Sequence, residues 1–162
     1  MLSCKRLPRM QVLSPPSSSP QVCWFVNSCD FELVLTASLV DQVVAYRGTI
    51  REKPETEEDC RTYLKSYETE PACTVTAVVV SNFTTGKRVF GVDIARQWFT
   101  AIPEDVVAAV IAKGEIMQCA GGFMIDDAAF AAYLGAREGS EDSIIGMPLA
   151  LTMALVQQVQ CE

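Results

Sequence analysis

The stretch VTAVVVSNFTTGKRVFGVDIARQWF constrains the fold more than any other part of the chain. Residues 74–80 are a run of Thr, Val and Ala, the side chains that suit a pleated, half-buried surface. Thr84-Thr85-Gly86 supplies a turn, and residues 88–99 return as a second strand. An antiparallel hairpin of this length needs a sheet around it, which excludes an all-helical architecture. Trp98 and Phe99 close the second strand and are expected in the core rather than as a base-stacking platform.

Around the hairpin the pattern alternates between strands and helices. Residues 22–26 and 33–44 read as strands, with a turn over residues 27–30. Pro54 is expected to open a helix whose first turns carry Glu55, Glu57, Glu58 and Asp59, facing the positive end of the helix dipole. Tyr63, Leu64 and Tyr67 give that helix its apolar side. A second helix starts at Pro103, buries Val106, Val107, Val110 and Ile111, and is capped by Gly114. Ala120-Gly121-Gly122 forms a bend where small residues let a ligand approach the backbone. Residues 127–134 read as a short helical stretch, 139–148 as a glycine-bounded loop, and 147–159 as a closing amphipathic helix. The expected class is a mixed α/β (α+β) fold, with 162 residues forming one domain around one core.

Charge and cysteine usage narrow the chemistry. The formal net charge is −7, yet residues before Asp30 carry only Lys5, Arg6 and Arg9, so the remainder is strongly acidic. Such a body offers no basic stripe to displace counterions from a nucleic-acid backbone. A small anionic ligand remains compatible, since it needs only a few local cations and backbone N–H groups. There is no histidine, and the seven cysteines form no CxxC pair, which excludes the usual zinc sites, histidine triads and histidine bases. Scattered thiols in odd number read as reduced, cytoplasmic cysteines, and Cys119 as a pocket wall rather than a nucleophile. No apolar run reaches membrane-spanning length, so no membrane partner is expected.

Residues 1–29 differ from the body at 30–162: MLSCKRLPRMQVLSPPSSSPQVC is basic, acid-free and rich in Ser and Pro. An organellar transit segment and a variant coding end both account for that composition.

The remaining stretch, LVLTASLVDQVVAYRGTIREKP at 33–54, brings an apolar run to a carboxylate, Asp41, then turns at Arg47-Gly48 and reaches Lys53 just before Pro54. A carboxylate and a lysine so placed can build a site for a metal-bound phosphate, and equally an ordinary surface hairpin. VDQVVAYRGTIREKP resembles the central motif of the Maf family of nucleotide pyrophosphatases, in which an Asp-Gln or Asp-Thr pair precedes a valine-rich segment and Lys-Pro. The resemblance continues in CAGGFMID (119–126) and GSEDSIIGMPL (139–149), in family order and at family-like spacing. It does not reach the N-terminal quarter, where the family's arginine-bearing phosphate loop has no counterpart; Ser17-Ser18-Ser19-Pro20 is only a faint echo of it.

The resemblance implies a fold similar to inosine triphosphatases, two lobes with a central mixed sheet and a cleft. It implies hydrolysis of a nucleoside triphosphate to monophosphate and pyrophosphate, with a divalent cation, Mg²⁺ or Mn²⁺. Asp41 takes the position of the family's proton acceptor, and Lys53 that of its lysine. Gln42 and Asp126 take the positions that choose the base, resembling the branch that accepts 7-methyl-GTP. Glu would be expected where Asp126 stands, and Asp127 could share its task. Asp142 and Ser143 are further candidates for phosphate or metal contact, with loop hydrogen bonds as the alternative. A homodimer stays open as an assembly. The alternative function is a catalytically impaired Maf-like isoform that binds a nucleotide or a partner.

Overall fold

A computed structural model describes residues 21–27 and 34–160, with side chains from Thr36 onward. The turn expected at 27–30 and the serine-rich stretch at 17–20 lie outside the described residues. Six strands form one sheet: β1 (Gln21–Asn27), β2 (Val34–Tyr46), β3 (Thr49–Arg51), β4 (Ala72–Asn82), β5 (Arg88–Phe99) and β6 (Leu134–Glu138). They hydrogen-bond in the order β1-β2-β4-β5-β6, with β3 paired to β2. Among the described residues four helices accompany them: α1 (Glu57–Ser66), α2 (Glu104–Lys113), α3 (Glu141–Ile145) and α4 (Leu149–Gln160). The class is mixed α/β, as expected.

The chain divides into two compact units. The first takes the described residues up to Asp41, the hairpin end at Ala77–Gly91, and Ala150 onward. Here β1 pairs antiparallel with β2, Gln21 opposite Val40 and Asn27 opposite Val34. The β4–β5 turn is closed by Asn82, whose Oδ1 accepts from the backbone N–H groups of Thr84 (2.9 Å) and Thr85 (3.1 Å). That side-chain turn is why a Thr-Thr-Gly tip suffices. Leu151 of α4 lies where a Cβ at Gly91 would sit, 2.8 Å away, so glycine permits the helix to pack on β5.

The second unit, Gln42–Thr76 with Val92–Leu149, holds the larger core. Tyr67, Phe99 and Phe123 meet with ring centroids 5.5–6.0 Å apart, and Phe130 packs against Phe99 at 6.2 Å. Such aromatic pairs contribute about 0.5–1.5 kcal/mol each beyond area burial. Phe99 is buried as expected, while Trp98 is half-buried. β2 and β3 form a two-residue hairpin, Tyr46 opposite Thr49. Arg47 (φ 50) and Gly48 (φ 78) both take positive φ, the turn geometry that matches strand twist.

Four local expectations are revised. β2 runs past the expected end at Val44 to Tyr46, because Val44, Ala45 and Tyr46 find partners in β3. Pro54 does not open α1. Thr56 does, through a capping box in which Asp59 N–H donates to Thr56 Oγ1 and Thr56 N–H donates to the Asp59 carboxylate. Residues 127–134 contain only a short 3₁₀ turn (Ala131–Tyr133) before β6, which pairs with β5 through Arg96–Glu138 and Gln97–Arg137. The glycine-bounded loop contains the short helix α3. Among the described residues no helix is long and apolar enough to cross a membrane.

Candidate functional site

Within the second unit the first two motifs are joined through their backbones. Gly121 N–H donates to Glu52 C=O at 3.0 Å, and Tyr67 Oη donates to Gly121 C=O at 2.8 Å. Gly121 has φ 70 and Gly122 φ 59, the left-handed region that glycine enters without steric cost. The bend therefore lies directly against the residue preceding Lys53, and Pro54 and Tyr63 line the space beside Gly122.

Lys53 is exposed, and among the described residues no carboxylate pairs with it. With α1 beginning at Glu57, Lys53 stands ahead of the cap rather than in the helix's first turn, so the dipole sets no demand on it. Cys119 lies in the electrostatic reach of both Lys53 and Asp126. Its thiol is pushed up chiefly by burial, with Asp126 raising and Lys53 lowering it. A thiol so raised is a poor nucleophile at neutral pH. The Glu52–Gly121 hydrogen bond ties the peptide before Lys53 to the bend that Asp126 follows in sequence.

The two adjacent aspartates separate clearly. Asp127 is held by Lys113, whose Nζ lies 2.9 and 2.7 Å from its two oxygens, and it accepts from Ala129 N–H at 2.8 Å. The Lys113 hydrogen bond, then that of Ala129, holds its carboxyl below the usual range. It is committed to structure. Asp126 is exposed, and among the described residues no hydrogen bond or ion pair restrains its carboxylate.

Gln42 joins the first motif to the third. Its Nε2 donates to Thr76 Oγ1 and to Ser143 C=O, both at 2.8 Å, across 34 and 101 residues of chain. Both amide protons are engaged, which leaves Oε1 as its free acceptor, near Gly146. Replacing Gln42 with Leu leaves Ser143 C=O and the buried Thr76 hydroxyl without this donor. The expected cost is about 1–3 kcal/mol, read as a lower urea midpoint at unchanged slope. Asp142 and Ser143 take the loop-bonding role. Asp142 accepts from Leu149 N–H at 2.7 Å, its pKa lowered first by Ser140 and then by that N–H, while Ser143 Oγ meets Ser140 Oγ at 2.8 Å.

Asp41 belongs to the first unit. It is exposed on β2, on the strand face opposite buried Thr36, Ser38 and Val40, with its carboxylate in solvent. Two residues that sequence reasoning passed over support the second unit's site. Tyr67 pins the Gly121 carbonyl, and Arg51 stacks among tyrosines beside it. The only sequence signal for them is Tyr63 and Tyr67 spaced one helical turn apart.

Comparison with known proteins supplies the relationship. The 7-methyl-GTP pyrophosphatase of Dictyostelium discoideum is 48% identical over 120 residues, covering 74% of this chain and 59% of the relative. The dTTP/UTP pyrophosphatase of Shewanella denitrificans is 30% identical over 117 residues, 72% of this chain and 57% of the relative. That of Chlorobium luteolum is 28% identical over 121 residues, 74% of this chain and 61% of the relative. The chain thus spans about three-fifths of the length of these curated relatives. The family model described as Maf-like protein matches residues 21–159, reaching back through β1 and taking in all three motifs. The chain belongs to the Maf-like protein family.

Proposed function

We propose that the chain is a nucleoside triphosphate pyrophosphatase, cleaving between the α- and β-phosphates to give a monophosphate and pyrophosphate. The observation that carries this reading is the Glu52–Gly121 hydrogen bond, which ties the segment of Lys53, a cation with no carboxylate partner among the described residues, to the glycine bend that leads to the unrestrained carboxylate of Asp126. A triphosphate needs the cation, and a purine edge needs the carboxylate. Both lie within residues 21–159, the span that the Maf-like family model matches.

In this reading Asp41 accepts the proton of the attacking water, and Lys53 neutralises charge developing on the phosphates. Asp126 accepts the N1–H and N2–H₂ donors of guanine and tolerates the positive ring of its 7-methyl form. Gln42 Oε1, the acceptor left after its two donors are used, has the polarity that the same edge requires. Among the described residues no group of three or more Cys, Asp or Glu converges as a metal cage. A Mg²⁺ ion that arrives with a triphosphate needs only one or two carboxylates besides the phosphates.

Pyrophosphate release from 7-methyl-GTP, GTP, UTP and dTTP, compared as kcat/KM with Mg²⁺ present, tests the reading. The expected order places 7-methyl-GTP first. A preference for UTP or dTTP retains the activity and removes Asp126 as a guanine reader. Release from none of the four by folded protein overturns the proposal and leaves a nucleotide- or partner-binding relative.

A further inference from the structure

Arg51 ends β3, two residues before Lys53, and its guanidinium is enclosed by three phenol rings. The guanidinium carbon lies 3.9 Å from the Tyr46 ring centroid, 4.5 Å from that of Tyr63 and 4.9 Å from that of Tyr67. Its Nη1 donates to Ser66 Oγ at 2.6 Å and to Tyr63 C=O at 3.5 Å. Among the described residues no carboxylate pairs with it. A cation half-buried without an acid is held by ring faces and carbonyls, and a planar guanidinium suits that arrangement where an ammonium would not.

The cage also closes a circuit. Tyr67, which stacks on Arg51, donates to Gly121 C=O at 2.8 Å, and Gly121 N–H returns to Glu52 C=O at 3.0 Å, the peptide next to Arg51. Burial pushes the Tyr67 phenol up to about 12, so it remains a donor throughout the neutral range. Both faces of the Gly121 backbone are therefore fixed from the Arg51 neighbourhood.

We infer that Arg51, through its tyrosine cage, is a positioning residue that fixes Lys53 and the Gly121–Gly122 bend in mutual register. Its consequence for turnover rests on the pyrophosphatase reading above; the register itself does not.

The test uses the full ¹⁵N-labelled chain and two variants, Tyr67→Phe, which removes only the hydroxyl, and Arg51→Met, which removes the planar cation. Amide exchange at Gly121 is expected to rise about tenfold or more in both, the loss of roughly one hydrogen bond, while the amides of α2 keep their rates. Under saturating 7-methyl-GTP, kcat is expected to fall about tenfold with KM changed less than about twofold, and Arg51→Lys is expected not to restore it. Unchanged exchange at Gly121, or an equal rise across α2 that signals general destabilisation, overturns the inference. A wild-type chain that hydrolyses none of the nucleotides rejects the activity reading, and the exchange comparison still decides the register.

Discussion

Asp41→Asn is expected to lower pyrophosphate release about 10²–10⁴-fold, the range a positioned general base contributes. The substitution keeps the shape and removes the carboxylate proposed as proton acceptor. Because Asp41 is exposed on β2, its replacement touches no core packing. Stability is therefore expected to change by no more than about 0.5 kcal/mol. Initial rates and thermal unfolding on the same preparation separate the two effects. Rate loss of similar size accompanied by a large drop in thermal midpoint would assign Asp41 to structure instead.

Gly121→Ala is expected to be strongly destabilising. A Cβ there would stand 2.7 Å from Val44 Cγ1, 2.8 Å from Val44 Cβ and 2.9 Å from Tyr67 Oη. Val44 and Tyr67 are buried in the main cluster, and neither is a flexible surface chain that can swing away. Overpacking of this kind costs about 1–3 kcal/mol, and the left-handed backbone adds about 1–2 kcal/mol for a residue with a Cβ. Gly114→Ala is the matched control: its φ is 83, yet nothing lies within 4 Å of the added methyl. Unfolding free energies from urea melts are expected to fall modestly for Gly114→Ala and about 1–3 kcal/mol further for Gly121→Ala, at unchanged slope. Equal losses at the two sites would show that Val44 and Tyr67 yield to the methyl.

The residues that revealed themselves in the sequence share a local cause. The β4–β5 hairpin is a period-two run with its own turn chemistry, and α2 lies between Pro103 and the left-handed cap Gly114, so each is specified within a few residues. β6 carries no such signal. LGARE is a strand only because its backbone meets β5, past a bulge between Gln97 and Phe99. The start of α1 was written in the chain as Thr56 with Asp59 three residues on, but Pro54 is the louder feature and points to the wrong position. Asp41 and Lys53 were visible as motif residues. The engagement of both Gln42 amide protons depends on Thr76 and Ser143, distant in sequence, and no local pattern carries that. The same holds for Asp127, whose restraint by Lys113 decides which of two neighbouring carboxylates is left for a ligand.

The proposed activity breaks one particular phosphoanhydride bond. The ³¹P spectrum of 7-methyl-GTP incubated with the full chain reads that bond directly, with the Asp41→Asn variant alongside. Equal growth of monophosphate and pyrophosphate signals, abolished in the variant, is the predicted result. Appearance of a diphosphate with inorganic phosphate, or a spectrum unchanged by correctly folded protein, would contradict it.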